Sequence, residues 1–235
     1  MKTHEKLESY KAGRASTPAE LITQFPIAKQ MLDLMGIKRY EFQGIEADDI
    51  IATIAHRLDK ENRQVRIVSS DRDLFQMVTN NISIIVPQNG SKPDLIMTTE
   101  NFEELYGCKP SQVPDLKGIM GDPSDNLEGV KGIGEKGALK LIYDYQSLEG
   151  IYENISSLST SLQTKLNDSK QMAFLCKELA TLDREVELPF DLSEIKYTYH
   201  VTEELIKFFK EHELNSLVKK YEADVQVDLF HNIIL

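Results

Sequence analysis

Apolar residues Leu21, Phe25, Ala28, Met31, Leu32 and Met35 recur at helical spacing. They predict a helix opened by a capping box, with Thr17 as N-cap, Pro18 at the first helical position and Glu20 at the third, and ended by Gly36. Ile37–Phe42 reads as a short strand. Ile50, Ile51, Ile54 and Leu58 make the buried stripe of a second helix. Val65–Val68 reads as a buried parallel strand ended by Ser69-Ser70. Leu74–Val78 starts a helix, Ile82–Val86 is a further strand, and Asn89-Gly90 marks a turn. Thr98–Tyr106 predicts a helix capped by Thr98 or Thr99. Ser111–Met120 predicts another, with Gln112, Val113, Leu116 and Ile119 carrying the spacing. After Ile142 the pattern is helical over Leu148–Ile155, Ser161–Leu182 and Thr202–Tyr221. Glu185–Leu192 is extended, with Pro189 limiting any role in a sheet. Ala223–Leu235 has no helical period and suits a tail or an edge strand. Strands mixed with helices, then helices alone, predict an α/β core followed by a helical part.

Acidic residues fall at the junctions of these elements. Glu46 and Asp48 precede the stripe of the second helix; in an extended lead-in, residues two apart project to one side, and Asp49 would then begin the helix. Carboxylates in a first turn commonly answer the helix dipole. Three within four residues beside a strand end exceed that need and suit a metal ion. Asp71 and Asp73 follow Ser69-Ser70 directly. They fit a surface turn, or a site at the carboxyl end of a parallel strand. Asp122 and Asp125 stand three residues apart after the helix that ends at Met120.

Directly beyond them the chain reads Gly129-Val-Lys-Gly-Ile-Gly134 and runs into the helical Ala138–Ile142. Gly132-Ile-Gly134-Glu-Lys-Gly137 matches the dinucleotide fingerprint literally, but that motif needs a strand immediately before it, and a turn-rich loop stands there instead. A glycine turn opening a helix exposes backbone N–H groups before the positive end of a helix dipole, which is a phosphate-binding device. With Lys136 following, a helix-hairpin-helix that grips a nucleic-acid backbone fits; an ordinary corner between two helices is the other reading. Near the N-terminus, Lys2–Tyr10 reads as the end of a helix. Tyr10, Lys11 and Arg14 could stack on a base and hold phosphates, or form a solvated basic helix end.

Composition narrows this further. The 235 residues are 41% hydrophobic, enough for one large domain or a domain with a subdomain. No apolar run approaches a membrane span and no signal peptide is visible, so a cytoplasmic protein without membrane attachment is expected. Cys108 and Cys176 have no metal or redox spacing and read as structural thiols in a reducing compartment. The net charge of −11 argues against a nucleic-acid coat protein. It does not exclude a nuclease, because the acidic residues named above supply seven of those charges and bound cations would offset them.

Together, Tyr10-Lys-Ala-Gly-Arg14, Gly44-Ile-Glu-Ala-Asp-Asp49, Ser69-Ser-Asp-Arg-Asp73, Gly121-Asp-Pro-Ser-Asp-Asn126 and Gly129-Val-Lys-Gly-Ile-Gly-Glu-Lys136 resemble, in that order, the 5′ nuclease family. The resemblance is strongest to the N-terminal 5′→3′ exonuclease domain of bacterial DNA polymerase I. It runs from about Lys2 to about Tyr221 and implies a PIN-like, Rossmann-like α/β core and a helix-hairpin-helix DNA-binding part. It implies Mg²⁺- or Mn²⁺-dependent 5′→3′ exonuclease or flap endonuclease activity on DNA 5′ ends, flaps or nicks, in replication and repair, by a monomer. It assigns Glu46, Asp48, Asp49, Asp71, Asp73, Asp122 and Asp125 to two metal ions. Tyr10, Lys11 and Arg14 fall to an arch over the active site. Gly129, Lys131, Gly132, Gly134 and Lys136 fall to the DNA-binding hairpin, which in the family also takes a K⁺ ion. Two family strands bearing metal-ligand Asp residues have no counterpart after Met1. The expected layout is therefore a truncated nuclease core with an arch remnant over 1–120, lacking its first strands, a helical DNA-binding region over 121–221, and a tail over 222–235. The alternative expectation is a catalytically impaired DNA-binding remnant.

Overall fold

The computed structural model describes residues 16–197 and 201–222. The elements run α1 (Ala19–Ile22), α2 (Gln24–Leu34), α3 (Ala47–Lys60), β1 (Val65–Val68), β2 (Ile82–Val86), β3 (Leu95–Met97), α4 (Phe102–Tyr106), α5 (Val113–Met120), α6 (Glu135–Tyr145), α7 (Leu148–Glu153), α8 (Thr160–Asp168), α9 (Lys170–Ala180) and α10 (Glu203–Glu211). The described residues divide into a larger unit, Phe42–Leu188, and a smaller one made of the segments up to Glu41 and from Pro189. The boundary drawn after residue 120 falls inside the larger unit.

The larger unit holds a three-stranded sheet in the order β1-β2-β3, with β1 parallel and β3 antiparallel to β2. β1 and β2 lie where the apolar runs predict them. β3 is three residues long, too short to show a period in sequence. No strand forms over 37–42. Its side chains are claimed otherwise: Arg39 makes a paired contact with Asp33 on α2, Glu41 accepts from Lys29, and Tyr40 stacks on Phe190 at 3.9 Å.

The core beneath the sheet collects Phe75, Phe102 and Tyr106 edge to face, with Leu74, Met77, Ile82, Ile84 and Leu116 buried around them. Burying each such side chain contributes roughly 1.5–3 kcal/mol. α3 turns Ile50, Ala52, Thr53 and Ala55 inward, whereas Ile51, Ile54 and Leu58 of the expected stripe are half-buried. α4 is shorter than the expected Thr98–Tyr106, because 98–101 forms a turn in which Asn101 accepts from the Thr98 N–H and donates to the Ile96 carbonyl. α5 is buried from Val113 to Ile119 and packs on α9. Gly118 permits that approach: a Cβ there would lie 2.9 Å from the Ala173 carbonyl oxygen. The expected helix Ser161–Leu182 is two, α8 and α9, broken at Ser169. Both cysteines are buried, and burial pushes the Cys108 thiol up to about 12.

In the smaller unit Leu205, Ile206, Phe208 and Phe209 of α10 pack with Ile27, Met31 and Leu34 of α2 and with Met35 at its end. Thr202 caps α10 by accepting from the Leu205 N–H. The expected helix Thr202–Tyr221 breaks at Glu213, which takes a positive φ of 55°, and resumes over 215–222. The expected capping box does not form: Pro18 itself holds the N-cap position, without a side-chain bond. Pro26 lacks the N–H that would bond Ile22, and the helix is interrupted at Thr23. Ala223–Leu235 lies outside the described residues. Among the described residues no helix is long and apolar enough to cross a membrane.

Candidate metal centre

The three acidic segments singled out in the sequence meet at one open cleft of about 1280 Å³ in the larger unit, which Glu149, Glu178 and Asp183 also line. The first is the start of α3. Glu46 is its N-cap, in extended backbone, and Asp48 and Asp49 lie in the first helical turn. The expected extended lead-in through Asp48 therefore does not occur; the helix begins at Ala47, with the Ile50 N–H bonded to the Glu46 carbonyl at 3.3 Å. Glu46, Asp48 and Asp49 line the cleft all the same.

The second segment follows β1. Asp71 caps the 3₁₀ turn Arg72–Met77 by accepting from the Asp73 N–H at 2.9 Å, and its own N–H donates to Ser69 Oγ. The turn reading and the site reading of Asp71-Arg-Asp73 are thus compatible, since the same turn faces Asp73 inward. The third segment is the bend after α5. Gly121 reverses the chain at φ +74°, Asp122 pairs with Leu127, and Asp122 Oδ1 accepts from the Ser124 N–H and hydroxyl.

Asp73, Asp122 and Asp125 come closest: each offers an oxygen within 4.8 Å of the other two. Glu46, Asp48, Asp49 and Asp71 share the cleft but stand outside this triad. Lys117 lies among them. Its ammonium is 2.6 Å from Asp122 Oδ2 and in contact with Asp73 Oδ1, with only 8% of its side chain exposed. Asp73 Oδ1 is buried and meets that ammonium as an ion pair, without hydrogen-bond geometry. Burial pushes the Asp73 carboxyl up to about 6, outweighing the pull of Lys117, and the neighbouring Asp71 and Asp122 charges push the same way. Burial also opposes the charge on Lys117, but Asp73 and Asp122 hold it above its ordinary range. For Asp122, burial is outweighed by Lys117 and Ser124, which hold it low. One ammonium thus serves two carboxylates, Asp73 and Asp122, from two different segments.

Sequence reasoning missed Lys117. The available signal was a lysine inside the helix Val113–Met120, which is apolar apart from Asp115 and Lys117 and where a charge needs a partner.

Beyond the bend, α5, the loop 121–134 and α6 form a helix-hairpin-helix. The preceding element is a helix, not a strand, which removes the dinucleotide reading. The Val130 N–H donates to the Ile119 carbonyl at 2.7 Å, and Gly129 and Gly132 take positive φ. Gly134 is the N-cap of α6 and Lys136 lies in its first turn. Lys131 and Lys136 are exposed, and the Lys165 ammonium reaches the Gly132 carbonyl at 3.1 Å. Tyr10, Lys11 and Arg14 lie outside the described residues.

Comparison with known proteins gives matches along nearly the whole chain. Residues 2–107 match the model of the 5′-3′ exonuclease N-terminal resolvase-like domain, and residues 108–204 that of the 5′-3′ exonuclease C-terminal SAM fold. DNA polymerase I of Bacillus subtilis is 37% identical over 222 residues, which is 94% of this chain and 25% of that protein. DNA polymerase I of Streptococcus pneumoniae is 38% identical over 234 residues, 98% of this chain and 27% of that protein. The chain thus spans about a quarter of the length of these relatives. Among solved structures, the T5 D15 protein co-crystallized with metal ions superposes with a TM-score of 0.66 at 23% identity, covering 77% of this chain and 70% of that one. The catalytic core of Rad2 in complex with DNA substrate gives a TM-score of 0.54 at 18% identity, covering 91% and 72%. These likenesses show the fold: a PIN-like α/β core with a helical part.

Proposed function

The chain belongs to the 5′-3′ exonuclease family, and from that premise we propose that it hydrolyses phosphodiester bonds of DNA at 5′ ends and flaps with divalent metal ions. The observation that carries the reading is the convergence of seven carboxylates, from segments far apart in the chain, on one cleft beside a helix-hairpin-helix.

The residues suit the ions. Carboxylate oxygens are the donors Mg²⁺ and Mn²⁺ take, and Asp73, Asp122 and Asp125 place theirs close enough for a shared cation. The buried Asp73 Oδ1 already meets a cation, the Lys117 ammonium, which is the kind of partner a metal ion would be. Asp73, Asp122 and Asp125 would hold one ion, and Glu46, Asp48, Asp49 and Asp71 line the space for a second. Bound there, such ions would supply an activated water and charge stabilisation at the leaving oxygen. The chain's own part is placement. Lys117 draws Asp73 and Asp122 together. The hairpin's N–H groups and Lys131 and Lys136 grip the backbone through phosphates, independent of sequence. The same reading has K⁺ at the hairpin, nicked and flapped duplexes as preferred DNA, and a monomer working in the cytoplasm. T5 D15 structures with DNA and metal ions support it by analogy of fold.

The test is a 5′-labelled flap substrate incubated with the chain in Mg²⁺, in EDTA, and with Asp125→Asn in Mg²⁺. Cleavage lost in EDTA and in the variant is expected. Flap binding without any cleavage would replace the nuclease by a DNA-binding protein of the same family.

A further inference from the structure

From the last residue of α9 the chain runs along the wall of the acidic cleft as a non-helical segment, Ala180–Val186, whose Thr181, Leu182 and Asp183 line the cleft, and two buried polar side chains fasten it there. Gln76, 3% exposed, lies in the turn that carries Asp73. Its amide nitrogen donates to the Asp73 and Ala180 carbonyls, both at 2.8 Å, and its amide oxygen accepts from the Leu182 N–H at 3.1 Å. Thr53, fully buried on α3, donates to the Asp183 carbonyl at 3.2 Å and accepts from the Val186 N–H at 3.1 Å. One turn before Thr53, Asp49 Oδ1 accepts from the Asp183 N–H at 2.9 Å. One turn after it, Arg57 donates to the Val186 carbonyl at 2.9 Å. Positions 49, 53 and 57 share one helix face, so α3 presents a row of polar groups to the backbone of a single non-helical segment.

A buried polar side chain costs stability unless bonded, and both of these are bonded to main-chain groups that an apolar residue would leave unpaired. What the polar choice adds is direction. Gln76 ties the segment to the Asp73 turn, Thr53 ties it to the helix carrying Glu46, Asp48 and Asp49, and the bond from the Asp183 N–H sets the rotation of the Asp49 carboxylate. We infer that Ala180–Val186 is a clasp that holds two of the three acidic segments at fixed separation, with Thr53 and Gln76 as positioning residues for the metal centre. This rests on the metal-dependent nuclease reading. Neither residue lines the cleft; each acts through the main chain it holds.

Thr53→Val keeps the shape and removes both hydroxyl bonds. Thr53→Ser keeps the hydroxyl, and Gln76→Met removes the amide. The readouts are Mn²⁺ affinity, from the electron paramagnetic resonance signal of free ion, and kcat and KM on a flap substrate. Loss of supporting bonds around metal ligands typically costs about 10–100-fold in affinity or activity. Thr53→Val and Gln76→Met should therefore bind Mn²⁺ at least tenfold more weakly and lose kcat, with KM for DNA unchanged. Thr53→Ser should stay near wild type. If Thr53→Val does not melt cooperatively, Arg57→Lys, which loosens the far end of the clasp, is read in the same titration and should shift Mn²⁺ affinity in the same direction by a smaller factor. Folded variants with wild-type Mn²⁺ affinity would overturn the clasp while leaving the nuclease reading intact. A wild-type chain that takes up no Mn²⁺ would overturn both.

Discussion

The Lys117 ammonium lies 2.6 Å from Asp122 Oδ2 and against Asp73 Oδ1, joining the last turn of α5 to the turn after β1. Taking Lys117 away leaves two half-buried carboxylates without their cation, and breaking a pair from one side costs up to about 3–5 kcal/mol when it is fully buried. Lys117→Met should be destabilised on that scale in EDTA. A saturating divalent ion should recover more stability in the variant than in wild type, because the ion supplies the missing charge. Urea melts of both proteins with and without Mg²⁺ measure this; equal recovery would count against a shared cation site.

Asp73 gives a pH signature in metal-free protein. Its carboxyl is raised from 3.8 to about 6, mainly by burial. Between those values the folded chain holds a proton that the unfolded chain has released, so this group's contribution to stability falls as pH rises through the window. Two units correspond to about 3 kcal/mol. Asp73→Asn should be more stable than wild type at pH 7 in EDTA by about 1–3 kcal/mol, with the difference closing toward pH 4, and should bind Mn²⁺ more weakly. A variant less stable than wild type at pH 7 would contradict it.

Ion binding to the folded state alone should raise the melting temperature. At a free concentration a hundred times the dissociation constant the gain is about 2.7 kcal/mol. For a chain of this size that is roughly 5–10 °C. Differential scanning fluorimetry with Mg²⁺ and Mn²⁺ reads it, and Asp122→Asn should abolish most of the shift.

Lys136 is exposed in the first turn of α6. Lys136→Ala should weaken duplex binding alike for unrelated sequences and reduce the slope of log affinity against log salt by about 1. Fluorescence anisotropy across a salt series measures it. A sequence-dependent loss would place Lys136 at base edges instead.

The hairpin should depend on Gly129. Its φ is +61°, and an added Cβ would run into the Gly121 backbone nitrogen and the Ile119 carbonyl oxygen. Gly129→Ala should cost at least about 1–3 kcal/mol and reduce DNA binding more than it reduces Mn²⁺ binding; thermal melts and both titrations separate the effects.

Much of this centre was legible in the chain itself. The periods over Val65–Val68 and Ile82–Val86 mark two strands because side-chain alternation and β-branching are local properties, and the carboxylates after strand and helix ends stand out by spacing alone. The hairpin glycines follow equally from local backbone needs. Where a segment's fate depends on distant partners, sequence was silent or misleading. Ile37–Phe42 has strand character, yet ion pairs to α2 and the Phe190 ring hold it instead of a ladder. Lys117 reads locally as a basic residue near a helix end; only the approach of the Asp73 turn, 44 residues earlier in number, turns it into the counter-ion of a buried cluster. Thr53 reads as one more position on an amphipathic helix, and its partners Asp183 and Val186 lie 130 and 133 residues away. Local sequence determined which carboxylates are available; their convergence, the cation between them and the clasp behind them were decided by tertiary packing, because burial and charge pairing are properties of what the fold brings together.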